Sequence, residues 1–275
     1  MDAKIDDIAV GTPPTIAVRV DREVRVFDGK SWKTLPALEA MPANLRYRLF
    51  FGRDNQPRLM GYTDEAEPRA YYRRFKGGRF QPEPSELGPL GSERGALYGV
   101  LGFSDPEVVC RPREICLIKR LSGWARVPAH AAPVPVFLGK GGAWALVDHT
   151  LQRLEPKAFT PFTPTQHFER PVSVWTDEGG KPWVLDAGAR AVLHVAQGKW
   201  ERLDLPLEQP LDLWGKTSTD VWLVGGSGAA HFDGKVVRCP KELNTPLAQL
   251  MPAGDVLWLA GPSGLFRVHT LSQEK

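Results

Sequence analysis

Four tryptophans limit what this chain can become. Trp144, Trp183, Trp222 and Trp258 each lie inside a short apolar run, and they recur 39, 39 and 36 residues apart. Trp175 and Trp214 keep the same interval of 39, and the glycines Gly198 and Gly234 repeat at 36. A period in this range marks one supersecondary unit used many times. Such a unit cannot bury its own faces unless it stacks on copies of itself.

The unit is clearest in residues 211–240, LDLWGKTSTDVWLVGGSGAAHFDGKVVRCP. Leu211, Leu213 and Trp214 open a first strand, A. Asp220–Gly225 is an apolar run bounded by glycines, too short for a helix and suited to a strand buried on both faces, B. Ala229–Phe232 gives strand C, and Asp233-Gly234 predicts a tight type I′ hairpin. Strand D, Lys235–Cys239, stops at Pro240, which has no N–H to continue a ladder.

Weaker copies cover approximately residues 12–36, 45–84, 95–128, 134–162 and 171–206, and a last one covers 247–271. The expected fold is therefore all-β: a seven-bladed β-propeller of four-stranded antiparallel blades, one domain over residues 1–275. The first copy lacks a strand A and the seventh lacks a strand D. The spare strand lies in residues 1–11, at Ile5–Val10. It is expected to pair with the last blade or to complete the first, closing the ring by joining the two ends of the chain.

Asp220-Val-Trp-Leu-Val-Gly225 followed by His231-Phe-Asp-Gly234 resembles the degenerate DVWxVG…HxDGxxW propeller repeats of many bacterial proteins, and more loosely tectonin-type repeats. The likeness is strongest in blades five to seven. It implies a propeller that presents loops to partners, and it carries no single activity.

Composition excludes several function classes. Thirty-five basic against 32 acidic residues leave a net charge of +3, too balanced to imply a nucleic-acid or membrane partner. No apolar run approaches the length needed to span a membrane. The first residues, MDAKIDDIAVGTPP, hold three aspartates and no apolar core, unlike a secretory signal. Cys110, Cys116 and Cys239 are odd in number and lack metal-type spacing. They are read as free thiols of a cytoplasmic protein.

Chemistry-bearing patterns mostly have plainer readings. His194, His231 and His269 recur 37 and 38 residues apart in strand C, which reads as a repeated structural position and not as a metal ring. Gly225-Gly-Ser-Gly228 sits between two strands, whereas a phosphate cradle opens a helix. The run 69–79, RAYYRRFKGGR, interleaves basic and aromatic residues, but its acidic neighbours and the small net charge make nucleic acid an improbable partner. No catalytic residues, metal site or cofactor are expected.

What remains is topological. The B–C loops and the connections between blades share one end of a propeller. In blades three to five the B–C loops hold Arg111, Arg113, His149 and Arg190. These four are expected to form a basic arc that binds a protein partner through an acidic segment, beside an acidic loop at 63–67. The expected function is a monomeric, non-enzymatic interaction platform. The alternatives are a lectin-like propeller binding carbohydrate or another small ligand and, below it, a propeller hydrolase or lyase.

Overall fold

A computed structural model describes residues 4–11, 15–21, 23–36, 45–51, 55–63, 70–82, 98–101, 108–110, 115–120, 123–128, 136–139, 142–154, 159–235 and 237–270. Its contacts divide the chain into two compact units, Asp6–Val134 and Met1–Ile5 with Pro135–Lys275.

The first of these holds three sheets. β1 (Asp7–Val10), β2 (Ile16–Val20), β3 (Glu23–Phe27) and β4 (Trp32–Thr34) form one antiparallel sheet in chain order. β5 (Leu45–Phe51), β6 (Pro57–Thr63), β7 (Ala70–Lys76) and β8 (Arg79–Pro82) form the second. β9 (Tyr98–Leu101), β10 (Val108–Cys110), β11 (Ile115–Arg120) and β12 (Gly123–Pro128) form the third. The spare strand of the sequence is β1, and it completes the first sheet by pairing Val10 with Ile16 through to Asp7 with Arg19. Ala9, Ala17, Val24 and Leu35 then pack on Leu49, Phe51 and Leu59 of the second sheet.

The other unit holds four sheets. β13 (Val136–Gly139), β14 (Gly142–Val147), β15 (Thr150–Leu154) and β16 (Phe159–Pro161) form one, and β17 (Pro171–Thr176), β18 (Pro182–Asp186), β19 (Ala191–Ala196) and β20 (Lys199–Asp204) the next. β21 (Pro210–Thr217), β22 (Asp220–Gly225), β23 (Gly228–Phe232) and β24 (Val237–Arg238) follow, and then a three-stranded sheet, β25 (Gln249–Ala253), β26 (Val256–Gly261) and β27 (Gly264–His269). Leu185, Val192, Leu213 and Leu223 fill the space between the middle two sheets, and Trp222, Val224, Leu250 and Leu259 the space after them. Among the described residues the one helical element is a 3-10 turn, Lys241–Leu243. No helix among them is long and apolar enough to cross a membrane.

Aspartates on the first strand of two sheets fasten them to neighbouring sheets. Asp212 of β21 accepts a hydrogen bond from Ser173 Oγ of β17 (2.8 Å) with Oδ1 and one from the Leu250 N–H of β25 (3.1 Å) with Oδ2. Asp7 of β1 makes a similar link in the other unit, taking the Leu49 N–H of β5 (2.6 Å) with Oδ2 while Oδ1 accepts the adjacent Ile8 N–H (3.1 Å). The link past Gly225 also recurs. Leu247 N–H donates to Gly225 O (3.1 Å), and Ile5 N–H donates to Gly261 O (2.9 Å), the matching carbonyl of the last sheet.

Two local expectations change. At Asp233-Gly234 only the glycine has a positive φ (87°), so the turn is not type I′. The Asp233 carboxylate folds it by accepting the Lys235 N–H (3.0 Å), as Asp28 does for Lys30 (2.8 Å) and Ser31 (2.9 Å). His269 also leaves the periodic set. The residue opposite the strand B tryptophan is Arg153, His194, His231 or Arg267, whereas His269 pairs with Val256. The β18–β19 loop is two residues longer than β22–β23 and β26–β27, so equal sequence spacing does not give equal register.

Candidate docking face

The B–C end of the larger unit is built from short, firmly held turns. β14 and β15 are joined by Asp148 and His149, both left-handed (φ 46° and 63°). A two-residue hairpin with both φ positive matches the natural twist of its strands, and Asp and His are among the residues that tolerate it. Thr150 Oγ closes the turn on Val147 O at 2.7 Å. The segment around Phe168 then runs alongside: Phe168 N–H donates to His149 O (2.8 Å), and Thr150 bridges His167. Phe168 is fully buried against Trp144, Leu146 and Leu151, which anchors this segment.

The next turn, β18 to β19, hangs on one carboxylate. Asp186 is 2% exposed. Its Oδ1 accepts the N–H groups of Arg170 (2.8 Å), Gly188 (3.0 Å) and Ala189 (3.2 Å), and Oδ2 accepts that of Glu169 (2.7 Å). The turn ends at Arg190, again left-handed (φ 49°). Its carbonyl accepts the Leu205 N–H (3.0 Å), and its guanidinium donates to Leu207 O (3.4 Å). That connection leads to Leu211, a bulged residue at the start of β21 whose side chain is 46% exposed. A bulge re-aims one side chain, here an apolar one toward solvent.

The glycines of the third turn have a packing role. A side chain at Gly225 would come within 2.7 Å of Glu208 O, and one at Gly228 would run into Leu243 O. Gly226 N–H donates to Glu208 O (2.9 Å), and Ser227 Oγ accepts the Glu208 N–H (2.9 Å). The Gly225–Gly228 loop is thus wedged between two connections, with its donors directed into the protein.

Of the four residues expected in a basic arc, His149 and Arg190 stand exposed on consecutive turns at this end. No hydrogen bond joins them; each is tied to its own neighbouring connection. Arg111 and Arg113 lie outside the described residues, as does 64–67 of the acidic loop. Sequence reading missed Asp186 as an organiser, because its partners at 169–170 precede it by sixteen and seventeen residues. It also missed that His167 lies beside His149, their ring centres 5.2 Å apart.

Two histidines, His231 and His194, sit in closed settings. His231 stacks on Trp222 (4.3 Å, 19°), and both bond Asp220 Oδ1, at 2.7 and 3.1 Å. His194 stacks on Trp183 (4.2 Å, 13°). Burial pushes the His194 imidazole below its ordinary range, against the pull of the Glu201 carboxylate 3.9 Å away. In the basic run of β7, Phe75 turns inward onto Phe80 (5.3 Å) and joins the core of its unit. Among the described residues no three His, Cys, Asp or Glu side chains converge as metal ligands.

Comparison with solved structures decides the fold. A catalytically inactive virginiamycin B lyase from Staphylococcus aureus, solved with quinupristin, superposes with a TM-score of 0.68 over 98% of this chain and 96% of that one, at 14% identity. YCF48 from Cyanidioschyzon merolae gives 0.69 over 98% and 96%, at 16% identity. BBS1N in complex with ARL6DN gives 0.60 over 100% and 98%, at 14% identity. The fold is a β-propeller. At these identities the likeness extends to the fold alone. No family model and no curated protein matches the chain.

Proposed function

We propose that this propeller is a non-enzymatic docking platform of the cytoplasm, which holds a protein partner on its B–C end. The observation that carries the reading is the construction of that end. Turns whose backbone is fixed by buried anchors, Phe168 and Asp186, project His149 and Arg190, and the connection braced by Arg190 leads to an exposed Leu211. An exposed apolar residue on a connection braced by an arginine, with a preorganised backbone, suits recognition of a segment that carries both a hydrophobic side chain and carboxylates. YCF48 has been solved bound to a D1 peptide and BBS1N with ARL6DN, so propellers of this size do serve as binding platforms. Arg111 and Arg113 are kept in the proposal as the sequence names them, as further basic residues for the same acidic partner segment.

The reading takes the seven sheets as seven blades of one closed ring, with the N-terminal segment as the join. The Ile5 to Gly261 hydrogen bond supports this, because it copies the link between Leu247 and Gly225. Affinity capture from the native host tests the docking claim. The wild-type chain should retain a defined partner that R111E/R113E and R190E variants lose. Undiminished capture by both charge-reversed variants refutes it.

A further inference from the structure

We infer that His149 and His167 form a transition-metal site, one that binds a divalent ion of the zinc or copper type through two imidazoles. The two residues are eighteen positions apart, and the Thr150 to His167 bridge brings them side by side, with ring centres 5.2 Å apart and planes tilted by 31°. Zn–N bonds are about 2.0–2.1 Å, so two imidazoles on one tetrahedral ion have ring centres about 5 Å apart. The observed separation already meets that requirement.

The tautomer is set as well. His149 Nδ1 lies 2.9 Å from Phe168 O, and a carbonyl can only accept, so Nδ1 carries the hydrogen. Nε2 is then the nitrogen with a free lone pair in the neutral ring. A backbone carbonyl on the other ring nitrogen is the arrangement that orients a ligating histidine and raises its basicity. The carbonyl is itself held firmly, because Phe168 is fully buried and its N–H is bonded to His149 O at 2.8 Å. His167 is exposed, and no hydrogen bond to its ring restrains it among the described residues, so it can turn to complete the pair.

Two protein ligands leave two positions for water or for a donor from a bound partner. This makes the site open and its affinity moderate. The two nitrogens select against magnesium and calcium, which take oxygen ligands. The site does not depend on the docking reading, since the chain alone should bind the ion.

The test is calorimetric titration of the untagged chain, carrying Cys239→Ser to remove an exposed thiol, with Zn2+ and separately with Mg2+. One Zn2+ per chain and no Mg2+ should bind. H149Q and H167Q should each weaken Zn2+ binding by about tenfold or more. H167Q is the decisive variant, because His167 is exposed and no hydrogen bond to its ring is seen among the described residues, and an unchanged melting temperature confirms that its fold is kept. Absence of Zn2+ binding up to millimolar concentration overturns the site, as does unchanged affinity in either variant.

Discussion

Removing the carboxylate of Asp220 tests how the repeat holds itself together. Asp220 is 2% exposed, and its Oδ1 accepts both the Trp222 indole N–H at 3.1 Å and His231 Nε2 at 2.7 Å. Asp220→Ala leaves two donors without that acceptor. A buried donor without a partner costs about 1–3 kcal/mol. Trp222 is almost fully buried and takes a value within that range, whereas the His231 side chain retains 15% exposure and can recover part of its bond from water. The sum is about 2–4 kcal/mol, which lowers Tm by roughly 3–7 °C for a chain of this size. Calorimetric and circular-dichroism melts measure it, with Asp220→Asn as the companion because the amide keeps one acceptor oxygen and should lose less. Nature supplies the inverse case in the preceding sheet. Trp183 has Lys181 where Trp222 has Asp220, and its Nε1 is buried without an acceptor. Lys181→Asn should therefore raise Tm. If Asp220→Ala melts within a degree of wild type and Lys181→Asn gains nothing, the account of the indole hydrogen bond is refuted.

Two further outcomes follow from the geometry. His194 has its folded pKa lowered by burial, so between that value and the ordinary 6.5 the unfolded chain binds more protons. Stability from this group is complete above about 6.5 and declines as pH falls through the lowered value; urea midpoints should drop less steeply with acidification in H194Q, and equal slopes would contradict the assignment. Deleting residues 1–11 removes β1 and the buried side chains of Ile5, Ile8, Ala9 and Val10, each large aliphatic one contributing about 1.5–3 kcal/mol. The expected loss is about 5 kcal/mol or more, seen as a markedly lower Tm, and an unchanged melt would eliminate the closing role of this segment.

The strands were legible because their signal is local. Apolar runs bounded by glycines and prolines placed the strands of residues 211–240 within two residues of their observed ends, and the interval of 39 revealed the copies. Register was less legible, as His269 shows: the longer β18–β19 loop shortens the His194 to His231 interval to 37, so an interval of 38 looks periodic although the register position after His231 is Arg267, only 36 residues on. The turns were legible as turns but not in kind: Asp148-His149 carries no glycine and still adopts the doubly left-handed form, while Asp233-Gly234 does not. The candidate site was the least legible part. Asp186, His149 and His167 acquire their roles from the backbone of residues 167–170, which passes over two turns, and no spacing in the sequence records that passage.

The Asp212 carboxylate has a consequence for how the larger unit comes apart. Its two oxygens hold the sheet before and the sheet after, so opening the last sheet frees an acceptor that also serves Ser173 two sheets away. A repeat array linked only by apolar faces would fray from its end, one sheet at a time. Here the polar link spreads the cost over three sheets, and amide exchange in β17, β21 and β25 should proceed as one cooperative event.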